Sequence, residues 1–300
     1  MKSGYVSISG RPNVGKSTLL NTILGQKVSI VTEKPQTTRN RIIGIKNMQD
    51  AQIIFIDTPG IHRPRHKLGE IMVKEARDAI KDVDIVLLMV EPWGLGNTPG
   101  IHPEVNDILK ILRSADFSEK TVILAINKID KIKKPELLPL IDEYNKLFSF
   151  KEIVPISALY GDGVDELLRL LVENLPEGPP YYPTDQVTDQ VERFIVSELI
   201  REQVMRYTEE EVPHSVAVEI VDWKERENGL INISANIYVE RDSQKGIIIG
   251  KGGQRLKSIG TEARKNIEGL LNTKVFLELW VKVKERWRDN INVLRELGFK

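Results

Sequence analysis

The chain has 300 residues, enough for two domains with cores of their own. Its 43 basic and 43 acidic residues balance, which excludes a global polyanion-binding charge. It has no cysteine, so disulfides, cysteine-ligated metals and cysteine nucleophiles are excluded. The longest apolar runs, such as 85–90, are far too short to cross a bilayer, and no basic-then-apolar leader opens the chain.

Residues 5–9 alternate apolar and small side chains and read as a strand. Gly10-Arg11-Pro12-Asn13-Val14-Gly15-Lys16-Ser17 follows: two glycines separated by four residues, then Lys-Ser. From Ser17 through Thr18 to Leu24 the pattern is helical, with Gly25 placed to end it. A strand, a glycine loop and a helix N-terminus make an anion site, because backbone N–H groups and the helix dipole converge there. Lys16 adds a mobile charge for the outer phosphates of a nucleotide, and Ser17 a hydroxyl for Mg²⁺. A chance match in a glycine-rich turn would not bring both flanks with it.

Pro35-Gln36-Thr37-Thr38-Arg39 lies between that helix and a hairpin of strands over 41–46 and 51–56. A threonine in such a loop can complete a Mg²⁺ shell while a triphosphate is bound, and Thr38 is preferred over Thr37. The second hairpin strand ends in Asp57-Thr58-Pro59-Gly60. Asp57 can hold Mg²⁺ through water. Gly60 lets the backbone approach the γ-phosphate and move when it leaves. Alone, these residues would read as an ordinary strand-ending turn. Ile61 follows and cannot orient an attacking water, so slow intrinsic hydrolysis of a bound triphosphate is expected. His62 reads as a solvated loop residue, and the basic segment 61–68 as a mobile switch loop.

The base is chosen further along. A buried-strand run over 121–126 leads into Asn127-Lys128-Ile129-Asp130. A carboxylate at Asp130 can accept from both N1 and the 2-amino group of guanine, a donor pair adenine lacks. Asn127 and Lys128 would brace the pocket. A strand over 152–156 leads into Ser157-Ala158-Leu159, placed to close over the base.

Together these segments resemble the five guanine-nucleotide motifs of the translation-factor class of small GTPases, over roughly the first 175 residues. The resemblance implies catalytic roles for Lys16, Thr38 and Gly60, and Mg²⁺ held by Ser17, Thr38 and Asp57, the last through water. In GTPases of this kind an asparagine at the Asn13 position helps to hold K⁺ beside the phosphates. The alternative is that Asn13 only shapes the loop.

Four prolines and a glycine in residues 175–183 mark a boundary and a semi-rigid linker. Beyond it a helix over about 188–208 precedes strands over 215–223 and 230–239, a glycine loop, a helix over 254–271 and a strand over 274–284. Charge is lopsided here: 189–240 holds 5 basic and 12 acidic residues, whereas 241–300 holds 14 and 7, so one face should be basic. Gly250-Lys251-Gly252-Gly253 has the Gly-x-x-Gly form of a KH RNA-binding loop, in which Lys251 neutralises phosphate. Ile247, Ile248 and Ile249 would floor a groove for unstacked bases. Arg255, Lys257, Lys284 and Arg286 would extend a basic track, with Arg288 beyond. Phe276, Trp280 and Trp287 either stack on bases or pack. A second nucleotide loop is the competing reading, but no Lys-Ser or Lys-Thr follows Gly253.

A GTPase domain joined to a C-terminal KH domain through a proline-rich linker resembles the Era family of bacterial ribosome-assembly GTPases, along essentially the whole chain. The fold class implied is α/β: a Ras-like P-loop domain, with a mostly parallel six-stranded sheet and helices on both faces, then a smaller α+β type II KH domain. The domains expected are 1–176, a linker over 177–186, and 187–300 with a C-terminal tail. The resemblance further implies GTP and GDP as ligands and the 3′ end of 16S ribosomal RNA and the 30S subunit as partners. It implies a cytoplasmic monomer with loose inner-membrane association and no DNA partner. The alternatives are a second domain that docks proteins, or an RNA chaperone with negligible turnover.

Overall fold

The computed structural model describes all residues except 95–99, 115, 116, 118 and 300. They form two compact units: 1–29, 38–63 and 72–189 in the first, and 30–37, 64–71 and 190–300 in the second.

In the first unit β1 (Lys2–Gly10) leads into α1 (Lys16–Leu24), then β2 (Ile42–Asn47) and β3 (Ala51–Asp57). α2 (Lys67–Lys81), β4 (Ile85–Val90), α3 (Pro103–Leu112), β5 (Thr121–Ile126), α4 (Lys134–Leu147), β6 (Glu152–Pro155) and α5 (Val164–Asn174) follow. The sheet order is β2-β3-β1-β4-β5-β6. β2 runs antiparallel to β3 and every other pair is parallel. β3 and β4 are buried along their whole length, as expected of inner strands covered on both faces. This strand order places β1 beside both β3 and β4, and the loops at the carboxyl ends of these strands form the crevice where such sheets bind ligands.

The proline-rich stretch is hydrogen-bonded to this unit rather than left as a spacer. Gln52 Oε1 accepts from the N–H groups of Tyr181 (2.7 Å) and Tyr182 (3.0 Å), and its Nε2 donates to the Tyr182 carbonyl (2.8 Å). Further along, Ile45 N–H donates to the Val187 carbonyl (2.7 Å) and Thr188 Oγ1 to the Ile43 carbonyl (2.6 Å). Residues 187 and 188 are thus committed to β2, which is why the next helix begins at Glu192 and not near Thr188.

The second unit holds α6 (Glu192–Tyr207), β7 (Ala217–Glu225), β8 (Ile231–Val239), α7 (Asp242–Ile249), α8 (Gln254–Leu271), β9 (Val275–Val283) and α9 (Ile291–Glu296). β8 lies between β7, antiparallel, and β9, parallel. Val196, Leu199, Ile233, Ile237, Ile259 and Ile267 are among its core residues. One expectation is corrected here, and one choice left open by the sequence is decided. Ile248 is 0% exposed in this core, so it cannot floor a nucleic-acid groove. Trp287 is buried with its Nε1 donating to the Ser215 carbonyl (2.8 Å), so it packs and does not stack on bases.

Candidate functional site

The loop after β1 is built so that α1 starts at Lys16 with its N-terminus open. Gly15 adopts φ 100°, and a Cβ there would lie 2.3 Å from Asn127 Nδ2. Gly60 is equally constrained, since a Cβ would lie 2.5 Å from the backbone nitrogen of Pro12. Only glycine permits these approaches.

Asn127 ties three motifs together. Its Nδ2 donates to the Val14 carbonyl (2.7 Å), and its Oδ1 accepts from Ala158 N–H (2.8 Å). Lys128, at φ 64°, donates to the Asn13 carbonyl (2.8 Å) and pairs with Glu91. Ser157 Oγ donates to Asp130 Oδ1 (2.6 Å), and Thr22 Oγ1 donates to the Ala158 carbonyl (2.7 Å). Asp130 is exposed, so its carboxylate is open to a bound base, and Leu159 is exposed as well. The residues from 10–18, 127–130 and 157–159 therefore form one connected scaffold.

Lys16 is 5% exposed and donates to the carbonyls of Arg11 (2.9 Å) and Gly10 (3.4 Å). Burial pushes its ammonium down to about 8, with the attraction of Asp57 opposing. Burial likewise raises Asp57, against the attraction of Lys16 and hydrogen bonds from Ser17, Ser29 and Thr38. Both charges gain if a phosphate and a cation share the site with them.

Ser17 Oγ lies 2.6 Å from Asp57 Oδ2 and 2.9 Å from Thr38 Oγ1. The other carboxylate oxygen, Asp57 Oδ1, is buried without a hydrogen-bond partner. Two hydroxyls and a carboxylate, one oxygen unsatisfied, suit a hard divalent cation such as Mg²⁺. Ser17, Thr38 and Asp57 would hold it, and it would neutralise charge on the outer phosphates.

The remaining residues take supporting places. Thr58 Oγ1 donates to the Ile8 carbonyl (2.9 Å), bracing the turn that carries buried Pro59 and Gly60. Arg11 is turned outward, donating to Glu104 (2.8 Å) over the Trp93 ring, so only its backbone serves the loop. Asn13 is exposed at φ 63°. Ile61 is buried in the core, and His62 Nδ1 lies 2.7 Å from the Gly60 carbonyl.

In the second unit α7 ends where Gly250, Gly252 and Gly253 all take positive φ, at 71°, 59° and 77°. Cβ atoms at Gly252 and Gly253 would meet nothing, so these two positions face open space. Lys251, Arg255 and Lys257 are exposed around them, and Ile247 is 41% exposed. Arg255 Nη1 donates to the Ile247 carbonyl, closing the loop across its base. Arg286 is exposed, whereas Lys284 pairs with Glu296 (2.9 Å) over the Tyr238 ring and offers less charge than expected.

Sequence reasoning missed Ser29, Glu91 and the polar run of α6. Ser29 Oγ donates to Asp57 Oδ2 (3.0 Å) while Asn21 Oδ1 holds the Ser29 N–H (3.0 Å). No local motif marks it. Its role exists only because the chain after α1 returns to the end of β3.

A phosphate cradle with a carboxylate set for guanine, on this sheet, defines a P-loop GTPase, here followed by a KH unit. The comparisons agree. Residues 5–128 match the family model described as a 50S ribosome-binding GTPase, and 211–288 match the KH domain model. The chain is 53% identical over 299 residues to GTPase Era of Ruminiclostridium cellulolyticum, covering 100% of this chain and 98% of that protein. It is also 53% identical to GTPase Era of Alkaliphilus oremlandii, covering 99% of each. Two solved structures superpose with TM-scores of 0.93 at 45% identity, covering 100% of this chain and 99% of theirs. One is an Aquifex aeolicus Era variant bound to GDP·AlF₄⁻, and the other Era with MgGDPNP and nucleotides 1506–1542 of 16S ribosomal RNA. The chain belongs to the Era family of GTPases.

Proposed function

We propose that this chain is a GTP-hydrolysing switch that binds the 3′ end of 16S ribosomal RNA through its KH unit and assists maturation of the 30S subunit. Asn127 carries the nucleotide half of the reading, since one side chain joins the phosphate loop to the base-closing segment. Asp130, steadied by Ser157, reads guanine. Lys16 and Gly60 act at the γ-phosphate, and Ser17, Thr38 and Asp57 at Mg²⁺. Ile61 lies in the core and cannot orient water, so intrinsic turnover is slow. Asn13 holds K⁺ near the phosphates, and K⁺ therefore raises the rate above Na⁺.

Nucleotide chemistry belongs to 1–176 and RNA binding to 187–300, joined through 177–186. The small-subunit partner is inferred from the RNA in the related Era complex, and from the exposed Gly250–Gly253 loop with Lys251, Arg255 and Lys257 beside it. A cytoplasmic location fits this role. Among the described residues no helix is long and apolar enough to cross a membrane, and peripheral inner-membrane association rests on the family resemblance alone.

Steady-state GTP hydrolysis in K⁺ and in Na⁺, with RNA binding followed against salt, tests the reading. Turnover favoured by K⁺, and RNA affinity that falls steeply with salt, are expected. RNA affinity indifferent to salt would favour a protein-docking second unit instead.

A further inference from the structure

We infer that Glu91 is a positioning residue for the phosphate loop: it holds the Lys128 ammonium on the Asn13 carbonyl and so fixes where the loop stands against a bound nucleotide. The inference rests on the reading of the nucleotide site given above, and every residue in it belongs to the first unit. β4 and β5 pair in parallel up to Val90 and Ile126, and Asn127 N–H donates to the Val90 carbonyl (2.8 Å). Glu91 and Lys128 therefore leave neighbouring strand ends, beside the loop after β1. Lys128 Nζ donates to the Asn13 carbonyl (2.8 Å) and to Glu91 Oε2. The Lys128 and Glu91 side chains are 27% and 22% exposed, so the pair is largely withdrawn from water. Glu91 also faces Arg11, whose Nη1 lies 3.9 Å away and whose Nε donates to Glu104 (2.8 Å). One carboxylate thus stands between a cation of the phosphate loop and a cation of the base motif.

Asn13 and Lys128 both adopt left-handed backbone, at φ 63° and 64°. For a residue other than glycine this conformation is strained, and it persists where the surroundings impose it. The Lys128–Asn13 hydrogen bond joins the two strained residues to each other. Glu91 aims the ammonium that makes it, since a lysine is otherwise a mobile charge on a flexible stem. Pro12, next to Asn13, lies so close to Gly60 that a Cβ there would meet its nitrogen at 2.5 Å. A shift of this segment therefore reaches the γ-phosphate side of the site, where small displacements are costly. Arg11 keeps Glu104 when Glu91 is changed, so the effect runs through Lys128.

Glu91→Gln in the full chain keeps the side chain's size and removes its charge. Dissociation of fluorescent GDP and of a fluorescent non-hydrolysable GTP analogue should both speed up roughly five-fold. The melting midpoint of the nucleotide-free chain should barely move, because a partly exposed ion pair contributes little stability. In a Lys128→Met background Glu91→Gln should add nothing to the dissociation rates. A carboxylate that acted only by repelling the phosphates would give the opposite sign, slower release when neutralised, in both backgrounds. If Glu91→Gln does not fold, Glu91→Asp takes its place: it keeps the charge, withdraws it by one methylene, and should speed release in the same direction. Unchanged or slower release in the folded variant used, or an equal acceleration in the Lys128→Met background, overturns the proposal. A parent chain that binds neither nucleotide defeats the nucleotide-site reading instead, which is a separate failure.

Discussion

Asn127 Nδ2 donates to the Val14 carbonyl across 2.7 Å, from the end of β5 to the loop after β1. The same side chain accepts from Ala158 N–H. Removing it in Asn127→Ala leaves a buried carbonyl and a buried N–H unpaired, each worth about 1–3 kcal/mol. GDP and GTP affinities should fall together, by about ten-fold or more, because the scaffold serves both nucleotides. Fluorescent GDP and GTP-analogue titrations measure this; a loss confined to the triphosphate would contradict it.

Asp130 is held through one oxygen by Ser157 and is exposed. Asp130→Asn replaces an acceptor pair with a donor and acceptor. Guanine binding should fall by two or more orders of magnitude, while xanthine, which offers the complementary groups, should gain. Competition of GTP and XTP for a fluorescent nucleotide reads the exchange directly.

Lys16 makes stability depend on pH. Its folded pKa, about 8, lies below the ordinary 10.5, so between these values the unfolded chain binds more protons than the folded one. Stability of the nucleotide-free protein should therefore rise as pH moves from 8 towards 10, by at most ~3 kcal/mol. Lys16→Met should abolish this rise. Melting midpoints across that range for both proteins test the sign; a parent that loses stability from pH 8 to 10 while the variant does not would refute the assignment.

Ile247 and Ile248 are neighbours with opposite environments, 41% and 0% exposed. Ile248→Ala should cost about 2–5 kcal/mol of stability and leave the salt dependence of RNA binding unchanged. Ile247→Ala should barely affect stability but weaken RNA binding. Lys251→Ala should reduce the slope of log affinity against log salt by about one. Denaturation curves paired with salt titrations separate these three outcomes.

The nucleotide site was legible because its motifs are local. Gly10–Ser17, Asp57–Gly60 and Asn127–Asp130 each follow a strand, and the strand order brings the strand ends together. The Ile247–Ile249 run was not legible in detail, because three equivalent residues carry no phase and only helix α7 decides that Ile248 points inward. Arg201-Glu202-Gln203 carries no motif that marks it as buried. Its burial depends on Val31 and Thr37, more than 160 positions earlier in the chain. The linker was read from its prolines alone, whereas its hydrogen bonds depend on Gln52, a buried polar residue in β3.

The most direct test of the switch is binding of a labelled oligonucleotide from the 3′ end of small-subunit ribosomal RNA, with a non-hydrolysable GTP analogue, with GDP and without nucleotide, at two salt concentrations. Salt-sensitive binding, tighter with the GTP analogue than with GDP, is the predicted result, and the RNA should tighten analogue binding by the same factor. Equal RNA affinity in the GTP-analogue and GDP states would contradict the switch.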